Sequence, residues 1–235
     1  MFGKGRRAER RAEELFRIVY AADVAPLPAM EELIGLGQQH PRAQERALQH
    51  LRDLLNDGGD DRGLCRLLIV AGEWPPDGVL TVALAAGCGD DPEVLYRVVV
   101  PILCRHAPAL VLLPIQLIHQ AETADVRRAL YRALEGALLA PDEATRERLS
   151  VFAQERWYLE MAGPDRDALG IYPLRLLLQV DEGKYIELMG RMRETSSKAA
   201  GRALDSLETA LRTGAYLNDA RTMAALDWRA LARSL

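Results

Sequence analysis

The clearest hydrophobic pattern in the chain follows Thr123. Apolar residues recur there at intervals of three and four, which places them on one face of an α-helix. They are Val126, Ala129, Leu130, Ala133, Leu134, Ala137 and Leu138. Four charged residues are expected on the opposite side of this helix: Arg127, Arg128, Arg132 and Glu135. The spacing therefore predicts an amphipathic helix that buries one face and exposes the other.

Four prolines divide much of the chain at nearly constant intervals. Pro41, Pro76, Pro108 and Pro141 are 35, 32 and 33 residues apart. Proline is tolerated at the first position of a helix, because the N–H that it lacks has no intrahelical partner there. We therefore expect each of these prolines within two residues of a helix start. Second helix starts are expected midway between them, so the chain reads as helical pairs of about 33 residues.

The second helix of each pair is expected to begin at residues suited to cap a helix. They are the pairs Asp60-Asp61 and Asp90-Asp91, and Thr123. Two further prolines, Pro101 and Pro114, do not fit the interval, and we expect each of them inside a helix that bends there.

Three apolar segments also suit buried strands: residues 66–72, 79–87 and 96–103. The intervals between them are too short for the crossover helices that parallel strands need. They also lack the two-residue turns of antiparallel hairpins. The predicted fold class is therefore all-α, with stacked antiparallel helical hairpins in the manner of an α-solenoid, followed by a small C-terminal helical cap.

Two of these segments resemble a known repeat. DPEV at 91–94 and ADVRRALYRALEGAL at 124–138 are similar to the first helix of HEAT-type (armadillo-like) repeats, with an acidic cap, a Val-Arg pair, and Ala and Leu at helical spacing. The resemblance covers at most residues 28–162. It implies a solenoid that presents its surface to partners, and it implies a kink at Pro101, since a proline in or after the first helix is common in that family.

The domain organisation follows from these patterns and from one loop. Residues 1–20 are expected to form a basic N-terminal arm or helix, and residues 21–162 the helical-repeat domain. Residues 163–173, with two glycines and two prolines, are the expected linker. Residues 174–235 are expected to form the C-terminal helical cap.

The end of the chain should dock rather than extend into solvent. A last helix is expected from about Asn218 to the C-terminus, with Ala224, Trp228, Leu231 and Leu235 on one side. Burial of a tryptophan favours docking strongly. We expect it on the same chain, as a cap on the stack; the alternative is a second copy. The protein is thus expected to be a monomer, or a homodimer through the C-terminal helix.

The charge is uneven along the chain. Residues 1–20 carry +3, residues 21–96 carry −8, and the net charge of the whole chain is −4. A dedicated nucleic-acid-binding protein shows a basic face on its body, and this body is acidic. Apolar residues (49%) and charged residues (27%) are at levels ordinary for a folded globular chain, which excludes wholesale disorder.

No motif for catalysis or metal binding is present in the sequence. Cys65, Cys88 and Cys104 have no metal-site or disulfide pattern, and Cys104 and His106 are two residues apart, so on a helix they point in different directions. We therefore expect no catalytic residue, no cofactor, no metal and no enzymatic activity. With no export signal and no apolar run long enough for a membrane span, the cytoplasm is the expected location.

The leading functional prediction is an adaptor that binds a protein partner on the surface of its helical stack. The alternative is a nucleic-acid-binding helical-repeat protein that uses its Arg-rich N-terminus. A third class, an enzyme with a dispersed site, leaves no signature in a single sequence. The candidate partner-binding residues are Arg6, Arg7, Arg10, Arg11, Arg127, Arg128 and Arg132.

Overall fold

The computed structural model describes the backbone of residues 2–57, 61–88, 94–194 and 198–235. Every regular element in these ranges is a helix, and the three segments with strand-like sequences are helical. The all-α class is therefore confirmed. Contacts between Cα atoms divide the chain into two compact units. Unit 1 comprises Met1–Arg105 with Ala225–Leu235, and unit 2 comprises His106–Ala224.

This division differs from the one predicted from composition. Residues 163–173 are not a boundary, because they hold the short helix Arg166–Leu169 and the start of the next helix, both within unit 2. The N-terminal segment, expected as an arm or a helix, is the helix Phe2–Ala21, and it packs against other helices of unit 1. The predicted cap at 174–235 is split, because its last residues return to unit 1. Glycine and proline end individual helices here without separating domains.

Unit 1 is built around one buried helix. Its elements are α1 Phe2–Ala21, α2 Leu27–Gln39, α3 Pro41–Asp57, α4 Asp61–Ala71, α5 Asp77–Cys88, a π-helical turn Leu95–Val99 and α6 Val100–His106. The run from Leu67 to Ala71 in α4 is buried on all sides. Helices α1, α2, α3 and α5 all contact α4. The core of this unit therefore lies along α4.

Arg66 of α4 is buried beneath the end of α1. Its guanidinium donates hydrogen bonds to the backbone carbonyls of Val19 and Asp23, each at 3.4 Å, and to that of Ala22. Carbonyls at a helix C-terminus lack intrahelical partners, so Arg66 satisfies them. Gly63 allows α4 to approach this closely, since a Cβ there would lie 2.5 Å from a backbone oxygen of α1.

Unit 2 contains the remaining helices. They are α7 Leu112–Gln120, α8 Ala124–Glu135 with a 3₁₀ turn Gly136–Leu139, α9 Glu143–Ala162, α10 Arg166–Leu169, α11 Ile171–Val180, α12 Glu182–Glu194, α13 Lys198–Arg212 and α14 Ala215–Ala224. Helices α9 and α11 pack along each other, and α8 contacts α7, α11 and α14. The core of unit 2 therefore lies between α8, α9 and α11.

Helix α8 confirms the strongest pattern in the sequence. The hydroxyl of Thr123 caps it, accepting a hydrogen bond from the N–H of Val126 at 3.3 Å. Six residues of the predicted stripe are buried: Ala129, Leu130, Ala133, Leu134, Ala137 and Leu138. The opposite side differs from the prediction, because Glu135 is also buried. Contacts with α11 and α14 cover that side of the helix as well.

Three of the four regularly spaced prolines lie within two residues of a helix start, as predicted. Pro41 is the first residue of α3, Pro76 immediately precedes α5, and Pro141 lies two residues before α9. Pro108 is the exception, because a turn separates it from α7, which begins at Leu112. Of the predicted second helix starts, Asp61 is the first residue of α4, whereas Asp60 and the pair Asp90-Asp91 lie outside the described residues.

Pro101 lies inside helical structure, as expected, and the chain accommodates it with a π-turn. The N–H of Val100 donates to the carbonyl of Leu95, one residue further back than in an α-helix. Such a π-turn widens the helix just before the proline, whose ring would otherwise clash with the preceding turn. Pro114 lies in the first turn of α7, where its missing N–H removes no intrahelical bond. A bend is therefore not required there.

The C-terminal segment docks on its own chain, as predicted, although not as one continuous helix. Helix α14 ends at Ala224, and Asp227 begins α15 (Trp228–Arg233) by accepting a hydrogen bond from the N–H of Ala230 at 2.7 Å. Because Asp227 caps a new helix, the expected helix from Asn218 is interrupted. Trp228 is only 8% exposed, and α15 packs on α4.

No helix in the described ranges is both long enough and apolar enough to span a membrane. The arrangement of the helices as a regular stack of hairpins stays a prediction.

Candidate functional site

The predicted partner-binding arginines lie in different units. Arg6, Arg7, Arg10 and Arg11 are on α1 in unit 1, and Arg127, Arg128 and Arg132 are on α8 in unit 2. Each group is therefore described separately.

Arg11 holds α1 against α2. Its guanidinium makes two hydrogen bonds of 2.7 Å to the carboxylate of Glu32 and a third of 2.9 Å to Glu14. These bonds raise the pKa of Arg11 and lower that of Glu32. Arg11 therefore makes ion pairs within the described part of the chain, unlike Arg6, Arg7 and Arg10.

The other acidic residues of α1 face α3. Glu9 and Glu13 both pair with Arg46 of α3, Glu9 at 3.7 Å. Both carboxylates are therefore turned towards α3 and away from the outer surface of α1, and Arg46 balances part of their charge.

The outer surface of α1 is left basic by these pairings. Arg6, Arg7, Arg10 and Arg17 are exposed and make no ion pair within the described ranges. Arg6, Arg10 and Arg17 are spaced four and seven residues apart, which places them on one side of the helix. We call these four residues the arginine face.

A surface groove lies between α1 and α3, beside the arginine face. Its volume is about 280 Å³, and its lining residues are Glu13, Phe16, Arg17, Tyr20, His50, Asp53, Leu54 and Asp57. The rings of Phe16 and His50 meet there, with centroids 5.7 Å apart. The two helices run parallel, since early residues of α1 face early residues of α3. We call this feature the α1–α3 groove.

The groove combines apolar walls with an acidic rim. Phe16 and Leu54 supply apolar surface, whereas Asp53 and Asp57 place two exposed carboxylates at one end. Asp53 accepts a hydrogen bond of 2.9 Å from the side-chain amide of Gln49. At about 280 Å³ the space is at the lower limit for a small-molecule pocket, so it suits one or two protein side chains.

In unit 2, Arg127 is engaged by internal contacts. Its guanidinium donates to the backbone carbonyls of Ala121 and Glu122, each at 3.2 Å, and to the carboxylate of Asp165 at 2.7 Å. It also lies 3.8 Å from a carboxylate oxygen of Glu160. Arg127 therefore joins α8 to the segment after α9.

The other two arginines of α8 also lie beside acidic groups of their own unit. Arg128 pairs with Asp125 at 3.0 Å, one turn earlier. The charge of Arg132 acts on buried Glu135 and lowers its pKa against the larger effect of burial. Partner binding by these arginines stays a prediction.

A buried polar network that the sequence analysis did not identify links α8 with α9. The hydroxyl of Tyr131 donates to Glu160 at 3.1 Å and accepts from Nε of Arg156 at 3.3 Å. Arg156 also contacts Glu160 directly. Burial raises the pKa of Tyr131. The spacing of Arg156 and Glu160, four residues apart on α9, was the only signal of this network in the sequence.

A second buried pair links α8 with α11. Nη1 of Arg175 donates to the carboxylate of Glu135 at 2.9 Å, and its guanidinium lies over the rings of Tyr172 and Tyr216 at 4.9 and 5.1 Å. Burial raises the pKa of Glu135 to about 7, although Arg175 and Arg132 act in the opposite direction. The ion pair and the two ring contacts join α8, α11 and α14, so the pair contributes to packing within unit 2, although Nε of Arg175 has no hydrogen-bond partner among the described residues.

The described residues offer little for metal or thiol chemistry. Cys65 and Cys104 are buried and form no disulfide, and no group of three His, Cys, Asp or Glu side chains is placed to hold a metal ion in the described ranges. We therefore consider the α1–α3 groove with the arginine face as the candidate site.

No protein-family model matches this chain, and no curated protein or solved structure matches it at a significant level. The resemblance to HEAT-type repeats thus depends on the residues of segments 91–94 and 124–138 alone.

Proposed function

We propose that this chain is a protein-binding adaptor without catalytic activity, and that its partner docks in the α1–α3 groove. The observation that carries the proposal is the pairing of apolar walls with two exposed rim carboxylates, Asp53 and Asp57. Aromatic side chains in a partly enclosed groove are typical of the buried centre of a protein interface.

The chemistry of the groove defines the docking segment of the partner. We expect an apolar side chain to contact Phe16 and Leu54, and a neighbouring Lys or Arg to reach Asp53 and Asp57. The charge complementarity would speed association and select the partner. Next to this segment, the arginine face favours acidic residues of the same partner.

The finer architecture belongs to the proposal as well. We propose that the helices form a HEAT-type stack of hairpins, supported by the capped stripe of α8 and by three prolines placed at helix starts. Stacked hairpins produce extended surfaces that suit partner binding.

The test compares affinity captures from cells that express the protein natively. The bait variant D53K/D57K reverses the charge of the rim, and the control E122K/D167K makes the same charge change at exposed positions of unit 2. We expect a partner captured in stoichiometric amount by the wild type and by the control, and lost with D53K/D57K. A partner retained equally by both variants, or none captured by the wild type, would contradict the proposal.

A second candidate function is nucleic-acid binding through the arginine face. The observation that favours it is that Arg6, Arg7, Arg10 and Arg17 are exposed and make no ion pair in the described ranges, whereas the glutamates of α1 are paired. A helix face of this kind contacts phosphates without reading sequence.

This second function is tested by fluorescence anisotropy with a DNA duplex of about 20 base pairs and an RNA of about 20 nucleotides. Each is long enough to span α1, which is about 30 Å long. Binding should weaken steeply as salt rises, and the variant R6E/R10E/R17E should abolish it. The absence of binding at low salt would exclude this function.

A further inference from the structure

Helix α9 mixes apolar and charged residues on both of its sides. Its inner side buries Leu149, Phe152 and Trp157 together with the charged residues Arg156 and Glu160. Its outer side exposes large apolar residues, since Val151, Tyr158 and Leu159 are 62%, 50% and 51% exposed. Three large apolar side chains exposed on one 20-residue helix favour contact with another surface.

The exposed residues follow the spacing of a helix-pairing seam. At alternating intervals of four and three residues, α9 presents Ala144, Arg148, Val151, Glu155, Tyr158 and Ala162, all of them exposed. This is the spacing of the a and d positions by which two α-helices pack along each other, and here Arg148 and Glu155 occupy two of those positions. The seam therefore has the geometry for one partner helix.

The seam of one copy is complementary to the seam of a second copy when the two α9 helices are antiparallel. Its positions are symmetric about residue 153, so an antiparallel second copy places Val151 opposite Glu155 and Arg148 opposite Tyr158. Arg148 then lies within one helical turn of the second copy's Glu155, and this contact occurs twice. In a parallel pair, Arg148 would face Arg148 and Glu155 would face Glu155, which is repulsive.

Both charges are available for such a contact. Neither Arg148 nor Glu155 makes an ion pair within the ranges that the structure describes. The hydroxyl of Tyr158 accepts a hydrogen bond of 2.8 Å from Arg191, which fixes the ring at the edge of the seam. Arg148 of a second copy can therefore pack on a positioned aromatic ring.

We propose that two copies of this chain pair through the outer face of α9 in antiparallel orientation. The proposal is independent of the α1–α3 groove, and it differs from the dimer through the C-terminal helix considered above. A helix of 20 residues is about 30 Å long, so the interface is at the small end of stable interfaces and the dissociation constant should be micromolar.

The first test is sedimentation equilibrium of the full chain and of two matched variants. V151D places an unpaired carboxylate in the seam and should weaken dimerisation about 100-fold or more. V24D makes the same change at a residue of unit 1 that is 80% exposed, and it should leave the dimer unchanged. A wild-type monomer at high concentration, or equal effects of V151D and V24D, would overturn the proposal.

The second test is a charge exchange, which also reports the orientation. R148E and E155R should each weaken the dimer about tenfold, because each places like charges together. The double variant R148E/E155R should restore it, since the pair is re-formed with reversed signs. A dimer that the double variant does not restore would exclude the antiparallel arrangement. Circular dichroism of each variant verifies that unit 2 is folded.

Discussion

The guanidinium of Arg229, in the last helix, contacts the carboxylate of Glu31 in α2, 198 residues earlier in the chain. Nearby, Arg105 donates to the carbonyl of Leu226 at 3.3 Å and pairs with Glu73. These contacts bring the end of the chain to the helices of unit 1. The C-terminal segment is therefore a structural part of unit 1.

The burial of Trp228 should carry most of the energy of this docking. We expect W228A to lower the free energy of unfolding by about 3–5 kcal/mol, because it removes a buried indole. R229A should cost less than about 1 kcal/mol, since Arg229 and Glu31 are both well exposed. Urea denaturation compares the two. Equal losses would show that the surface pair, rather than the indole, anchors α15.

Arg66 should contribute strongly to unit 1 through the end of α1. R66M keeps the apolar stem but leaves the carbonyls of Val19, Ala22 and Asp23 without their donor. A loss of about 3 kcal/mol is expected, since a hydrogen bond from a charged group contributes about 1.5–3 kcal/mol. Hydrogen exchange should show faster opening of the last turn of α1. Unchanged exchange there would contradict the capping role.

Glu135 should make the stability of unit 2 depend on pH. Its pKa is raised from 4.5 to about 7 in the folded state. Between these values the folded chain binds more protons than the unfolded chain, so stability is highest below about pH 4.5 and falls as the pH rises through 7. The free energy of unfolding falls by on the order of 3 kcal/mol over this pH range.

The variant E135Q provides the control, because its amide oxygen can still accept the hydrogen bond from Arg175 but does not titrate. Urea denaturation at pH 5 and pH 8 should show a larger loss for the wild type than for E135Q. Identical losses would show that Glu135 does not titrate in this window.

Arg127 and Arg128 are adjacent on α8, yet they should respond differently to truncation. R127A removes hydrogen bonds to two carbonyls and to Asp165, and should cost about 2 kcal/mol. R128A removes one exposed pair and should cost less than about 1 kcal/mol. Thermal unfolding of the two variants measures the difference. An equal effect would mean that Arg127 is as free to bind a partner as Arg128.

The sequence predicted those features that depend on one helix at a time. The stripe of α8 and its cap at Thr123 were readable because spacing along a single helix determines both. The docking of Trp228 was predicted for the same reason, since the apolar side of its segment had to be covered. The helix on which Trp228 docks, α4, was not predicted, because no local pattern indicates which distant helix of the chain it will contact.

Helix α9 shows why the rest could not be predicted. From the sequence alone, Arg156 and Glu160 would be placed on a solvated face, and Val151 and Leu159 on a buried one. In the structure Arg156 and Glu160 are buried, whereas Val151 and Leu159 are exposed. The charges are buried because Tyr131, on another helix, completes their hydrogen bonds. The α1–α3 groove likewise depends on the packing of two helices against each other, which spacing within either helix does not reveal.

The proposal that the α1–α3 groove binds a protein partner is tested most directly by site-specific photo-crosslinking in cells. A photoreactive phenylalanine analogue replaces His50, an exposed residue of the groove, and in a control it replaces Gln116, an exposed residue of α7. We expect one discrete protein adduct from position 50 that disappears in the D53K/D57K background, and no such adduct from position 116. No adduct at position 50, or the same adduct from both positions, would contradict the proposal.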